Sequence, residues 1–242
     1  MNLDTSSLQS VRRFAHAVKS QTDSLDMLVL NAGSPASGMP FELSEDGIEK
    51  VFATNYLGHF LLHKLLLPLM ERGGTSGVAR VVAVTSRGHA DSYPWGVAVS
   101  REQLNDRSSW QAGFSGAYPQ SKLAQIYFVQ EAARRMGQKP VYVNAADPGG
   151  VHTAAWDGIP DTVIAKIVGA VSKLLGDGDF LFSPEDGALP QLYLAAAGKD
   201  LAAKNIRGRY FTQPVQELQP CLAGNLTLQE ALWDFSEKLV ET

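Results

Sequence analysis

Apolar residues recur along this chain in two alternating rhythms. Over Leu8–Lys19, the residues Leu8, Val11, Phe14, Ala15 and Val18 fall on one helical face, with Asp4 to Ser7 as capping candidates. Met27–Leu30 is a short unbroken apolar run before Asn31 and Gly33, which reads as a strand buried on both faces. Ser44 can cap a long helix through Glu71 whose middle is apolar nearly all round, so it is expected in the core. Arg80–Val84 predicts a second buried strand, with Thr85 and Ser86 at its carboxyl end. An amphipathic helical pattern follows between Phe114 and Gly137, then a third strand in VYVNAAD, Val141 to Asp147. Further helices are expected over Asp161 to Leu175, over Ser183 to Ala197 with Ser183 as cap and Pro184 at its first position, and over Leu226 to Val240. Ile206 to Phe211 is a last strand candidate. Strands alternating with helices predict an α/β fold, a parallel sheet with helices on both faces.

Composition narrows the function classes. With 242 residues, 45% hydrophobic and 19% charged, the chain reads as one globular domain over residues 1–242. A net charge of −4 and no basic block argue against a nucleic-acid partner. The single cysteine, Cys221, excludes an internal disulfide and a cysteine-based zinc cage, and it suits a reducing compartment; a cytoplasmic location is expected. The opening MNLDTSSLQS has no apolar core of a signal peptide. The most apolar run, Phe60 to Met70, is broken by His63 and Lys64 and falls short of the roughly 18 residues a membrane span needs. His59 and His63 are four apart but lack the glutamate of HExxH, so they read as helix histidines, His59 packed and His63 at a surface; His89 and His152 read as loop residues, and no metal site is expected.

The candidate chemistry centres on Tyr118 and Lys122 in YPQSK. Four residues apart on a helix, they lie one above the other. A free phenol has a pKa of about 10, and an ammonium within roughly 4 to 6 Å favours the phenolate, which gives a proton-transfer group for neutral pH. Ser86 stands beyond a strand's carboxyl end, where open α/β sheets bind ligands. Asn55 is a polar amide in an apolar helix and must find partners: it is either a satisfied structural residue or one that holds a water or a carbonyl near a site.

In this order the motifs resemble the short-chain dehydrogenase/reductase family: NAG at Asn31, Ala32 and Gly33; Asn55; Ser86; Tyr118-x-x-x-Lys122; and PGGVHT with Pro148, Gly149, Val151 and Thr153. Similarity is strongest to the retinol-dehydrogenase-like branch, which includes the WW-domain oxidoreductases, in AYPQSKLAQ, SPEDGALPQLYLA and LWDFSEKLV. The resemblance implies a Rossmann-like, doubly wound parallel sheet and an NADP- or NAD-dependent oxidoreductase, NADP slightly favoured, acting on an apolar alcohol or carbonyl. Tyr118 would be the acid/base, Lys122 would lower its pKa and hold the nicotinamide ribose, and Ser86 would hydrogen-bond the substrate oxygen. Asn55 would anchor a proton-relay water. Asp4 would contact adenine, the Asn31–Gly33 segment would pass the adenosine ribose, and Pro148, Gly149, Val151 and Thr153 would hold the nicotinamide end.

One departure is large. The family's Gly-rich TGxxxGxG turn, whose backbone N–H groups take the pyrophosphate, has no match here. The resemblance places two βα units, roughly 60 residues, ahead of the matching region. The expectation is an N-terminally incomplete domain that binds dinucleotide weakly as it stands and whose Met27–Leu30 strand is an unpaired edge. A fragment or mis-started reading frame is favoured over a true truncation or a degenerate paralogue, and a non-catalytic binding or scaffold protein is the alternative function; self-association is left open. Ser86 and Tyr118 stand 32 positions apart, and the insert between them, with Trp95 and Trp110, must fold as a flap beside the site if the assignment holds. The aliphatic side of Asp161 to Leu175 suits sheet packing or a lid over an apolar substrate, and the hinge-like Gly158, Pro160, Gly176 and Gly178 around it tilt the reading to the lid.

Overall fold

Three apolar runs make the centre of the sheet. In the computed structural model, which describes residues 1–34, 40–73, 77–111, 116–151, 181–220 and 222–241, strands β1 (Met27–Leu30), β2 (Ala79–Val84) and β3 (Val141–Ala146) pair in parallel. Two short strands, β4 (Gly150–Val151) and β5 (Leu181–Phe182), form a separate parallel pair. Strand β6 (Tyr210–Thr212) lies parallel beside β3, and β7 (Gln216–Leu218) returns antiparallel, so the main sheet runs β1-β2-β3-β6-β7. Side chains alternate across it. Val81, Ala83, Val143, Ala145 and Tyr210 enter the larger core, while Val82, Tyr142, Ala146 and Phe211 enter a second core with Leu194 and Leu201.

The expected helix α1 (Leu8–Lys19) forms, its first turn capped by Ser7, which accepts from the Ser10 N–H. The long helix begins later than expected. Ser44 belongs to a turn closed by the Gly47 N–H at 2.9 Å, and the cap is Glu49, whose carboxylate accepts from the Val51 and Phe52 N–H groups at 3.0 and 2.8 Å. The helix runs as α2 (Lys50–Phe52), a π-helical turn (Ala53–Leu57) and α3 (Gly58–Arg72). Gly58 has a packing reason: a Cβ there would lie 2.1 Å from the carbonyl oxygen of Thr5. After α4 (Arg101–Leu104), α5 (Ala117–Met136) follows the predicted amphipathic pattern and is buried along most of its length.

The expected helix over residues 183–197 divides into α6 (Pro184–Gly187), capped by Ser183 as anticipated, and α7 (Leu189–Ala196); Pro190 has no N–H with which to continue the ladder. Helix α8 (Gly198–Ala203) follows α7. The last helix, α9 (Leu226–Glu241), lies along α5: Trp233 meets Phe60 edge-on at 5.0 Å and carries the Arg135 guanidinium 4.6 Å above its ring.

Two expectations are corrected. Strand β1 is not buried on both faces, since Met27 and Val29 are each 46% exposed and only Leu28 and Leu30 face the core. Among the described residues β1 pairs with β2 alone. His63 is not at a surface: it is buried against Phe128, its ring 5.0 Å away. The Asp161 to Leu175 segment and Thr153 lie outside the described residues.

Candidate active site

The carboxyl end of β2 and the first turns of α5 are laced together. Thr85 Oγ1 donates to the Lys122 carbonyl at 2.9 Å, and Lys122 Nζ donates to the Val84 carbonyl at 2.9 Å. Ser86 begins the 3-10 turn Arg87–Asp91, its Oγ accepting from the Gly88 N–H at 3.1 Å, and it hydrogen-bonds the Tyr118 side chain. One helical turn on, Lys122 Nζ lies 5.6 Å from the Tyr118 ring centre. Ser86, Tyr118 and Lys122 are therefore one cluster although an insert sets the first two 32 positions apart.

That insert wraps the start of α5. Ala98 N donates to Gln120 Oε1 at 2.8 Å, and the Trp110 indole N–H donates to Glu49 at 3.2 Å while meeting Phe41 edge-on. Trp95 stacks on Tyr93 at 4.6 Å with its outer face exposed.

The electrostatics differ from the expectation at Tyr118. Burial raises its pKa above the ordinary value, the Ser86 hydrogen bond opposes that, and the Asp147 carboxylate adds to it. The depression expected from Lys122 is absent because desolvation of the phenolate dominates. Burial also brings Lys122 down to about 8, with Asp147 acting the other way.

Asn55 sits in the π turn, fully buried. Its Oδ1 accepts from the Ser34 N–H at 2.7 Å; its Nδ2 donates to the Ser34 carbonyl at 3.0 Å and to Ser121 Oγ at 2.9 Å. Its backbone carbonyl accepts from Gln125 Nε2 at 2.8 Å. These partners are all protein groups, and they tie the Asn31–Ser34 ledge to α5. Asn31, Ala32 and Gly33 are exposed on that ledge. A Cβ on Gly33 would come within 3.2 Å of Asn55 Oδ1 and 3.5 Å of Lys122 Nζ, so only a glycine leaves this corner open.

Pro148 and Gly149 follow β3 directly, Gly149 N donating to Asp147 Oδ1 at 3.0 Å; Val151 lies in β4 beside Phe182. Asp4 is placed differently. It opens the turn before α1, exposed, and its carboxylate accepts from the Ser6 N–H and hydroxyl, which lower its pKa. Sequence reasoning missed Asp147, Arg87, Ser121 and Gln125. The available signal for Asp147 was a carboxylate at the end of an apolar strand. Among the described residues no three His, Cys, Asp or Glu side chains are grouped to hold a metal ion, and no helix is long and apolar enough to cross a membrane.

Residues 1–100 match the family model described as short chain dehydrogenase. Retinol dehydrogenase 14 of Mus musculus is 35% identical over 239 residues, covering 98% of this chain and 66% of that protein. Polyprenol dehydrogenase of Danio rerio is 36% identical over 246 residues, covering 99% of this chain and 69% of that protein. The chain thus spans about two thirds of the length of these relatives. A short-chain dehydrogenase from Burkholderia cenocepacia, solved in complex with NADP, shares the fold with a TM-score of 0.60 at 20% identity, covering 88% of this chain and 73% of that one. By these relatives, and by the ordered motifs folded around one sheet end, the chain belongs to the short-chain dehydrogenase family, in its retinol-dehydrogenase-like branch.

Proposed function

We propose that the protein interconverts an alcohol and a carbonyl on an apolar molecule with NADP or NAD as partner, Tyr118 moving the proton. The observation that carries this reading is the Ser86–Tyr118 hydrogen bond beside Lys122 at the carboxyl end of a parallel sheet. When an alcohol is oxidised, the Tyr118 phenolate takes the hydroxyl proton and becomes the neutral phenol, while Ser86 Oγ orients the substrate oxygen. In the reverse direction Tyr118 returns the proton. Lys122, when charged, favours the phenolate from which oxidation starts and with which reduction ends. Asn55 acts by holding the ledge against α5, the reading its protein partners support.

The residues present fit the two ribose ends of a nicotinamide dinucleotide, whereas the Gly-rich turn that would take its pyrophosphate has no match in the sequence. The Gly33 corner is free of a Cβ beside Lys122, as a ribose approaching that ammonium needs. Lys122 and Tyr118 would hold the nicotinamide ribose, Asn31 to Gly33 the adenosine ribose, Asp4 the adenine, and Pro148, Gly149, Val151 and Thr153 the nicotinamide end. When bound, the cofactor supplies the hydride acceptor or donor. NADP is favoured, in line with the NADP complex of the Burkholderia neighbour.

The substrate reading is apolar. The two relatives are named for retinol and polyprenol, long isoprenoid alcohols. The test is turnover on a panel of retinoids, polyprenols, long-chain aldehydes, steroids and small polar ketones with each cofactor. Preference for the apolar members is expected. Preference for polar ketones would overturn the substrate class. No turnover, with no stabilisation by either cofactor, would favour the binding or scaffold alternative.

A further inference from the structure

The carboxylate of Asp147 lies where three strand ends meet. The register pairs Ala145 with Tyr210 and Ala83 with Ala145, so the alternation of side chains puts Thr85, Asp147, Tyr210 and Thr212 on the face that α5 covers. Asp147 is 1% exposed. Its Oδ2 accepts from the Tyr210 hydroxyl at 2.9 Å, from Arg87 Nε at 3.2 Å and from Thr212 Oγ1 at 3.4 Å, and its Oδ1 accepts from the Gly149 N–H at 3.0 Å. Arg87 Nη2 donates in turn to Thr212 Oγ1 at 2.8 Å. Arg87 is the residue after Ser86, and Pro148 is the residue after Asp147. One ion pair therefore joins the loop that carries Ser86, the loop that carries Pro148 and Gly149, and β6.

The same carboxylate faces the reacting cluster. Lys122 is 4% exposed, and an ammonium so buried is costly unless an anion or hydrogen bonds offset it. Its hydrogen bond to the neutral Val84 carbonyl sets it at the end of β2, on the sheet face that also carries Asp147, and among the described residues the Asp147 carboxylate favours its charged form. Among the described residues, the charged and titratable groups facing Asp147 are Arg87 and His89 from the 3-10 turn, Tyr118 and Lys122 from α5, and Tyr210 from β6.

We infer that Asp147 is a positioning residue of this site, fixing the Ser86 and Pro148 loops to β6 while serving as counter-charge to Lys122, with Arg87 metering how much of that charge Lys122 feels. For its catalytic meaning this rests on the proposed function; the electrostatic part does not. Removing the Asp147 charge disfavours the Lys122 ammonium and eases Tyr118 ionisation. Both effects end carbonyl reduction, which needs a protonated Tyr118 and a charged Lys122, at lower pH. Removing Arg87 leaves the Asp147 charge uncompensated and does the opposite.

The test follows the Lys122 ammonium by nitrogen-15 NMR across pH, its signal identified by loss in Lys122→Met, in the parent, Asp147→Asn and Arg87→Gln. The midpoint is expected to fall by about one unit in Asp147→Asn and to rise in Arg87→Gln. Where turnover is measurable, the alkaline limb of carbonyl reduction should move the same way in each variant. A purely structural clamp would leave the midpoint unmoved or shift both variants alike, and either result overturns the inference. Arg87 is 40% exposed at its side chain, so its variant decides alone if Asp147→Asn fails to fold. Opposite shifts without turnover would uphold the electrostatic pairing and sink the proposed activity; turnover with an unmoved midpoint would do the reverse.

Discussion

The Asn55 side-chain amide donates to the Ser121 hydroxyl 2.9 Å away, and Ser121 donates to the backbone carbonyl of Tyr118 at 2.7 Å. The π turn thus holds the ledge before it and the catalytic helix after it with one side chain. Asn55→Ala removes three hydrogen bonds, two of them to Ser34, and should cost about 2 kcal/mol in denaturant unfolding. It should also weaken cofactor binding, because the ledge is released. Unchanged cofactor affinity in a folded variant would confine Asn55 to a structural role.

Gly33→Ala probes the open corner. The added methyl meets Asn55 Oδ1 at 3.2 Å and Lys122 Nζ at 3.5 Å, while Gly33 itself is exposed. Stability should change by under about 1 kcal/mol. Cofactor affinity should fall at least tenfold in a direct titration, and affinity equal to the parent's would show that the corner is not used.

The buried histidines give a pH signature. His59 and His63 are depressed from 6.5 to about 4 by burial, with the Lys122 charge adding to the effect at His59. As pH falls below 6.5 the unfolded chain binds protons that the folded chain refuses until about 4. Stability is therefore lost across that window, roughly 1.5 kcal/mol per histidine between pH 6.5 and about 5. His63 Nε2 has no hydrogen-bond partner among the described residues, so His63→Leu should keep the fold at neutral pH and make the slope shallower by one proton. An unchanged slope in urea titrations at several pH values would contradict this.

Local patterns carried much of this molecule. The apolar rhythm placed α1, β2, β3, α5 and α9, and the ordered motifs brought Ser86, Tyr118 and Lys122 to one sheet end. What was not legible depended on distant partners. Ser44 read as the cap, but the cap is Glu49, which meets Val51, Phe52 and Trp110. Strand β1 read as doubly buried because an unbroken apolar run does not say whether both faces are covered. Three of the hydrogen bonds to the Asp147 carboxylate come from residues 60 to 65 positions away, beyond any local pattern. The phenol's direction also needed the fold, since burial outweighs the Tyr-x-x-x-Lys spacing at Tyr118.

The most direct measurement is turnover of a retinoid or polyprenol alcohol with NADP by the protein and by Tyr118→Phe. The substitution keeps the ring and removes its hydroxyl, so thermal midpoints should agree within a few degrees. The account predicts at least a roughly hundredfold fall in kcat, the scale of a lost acid/base group. Turnover by Tyr118→Phe within a few fold of the parent would contradict it.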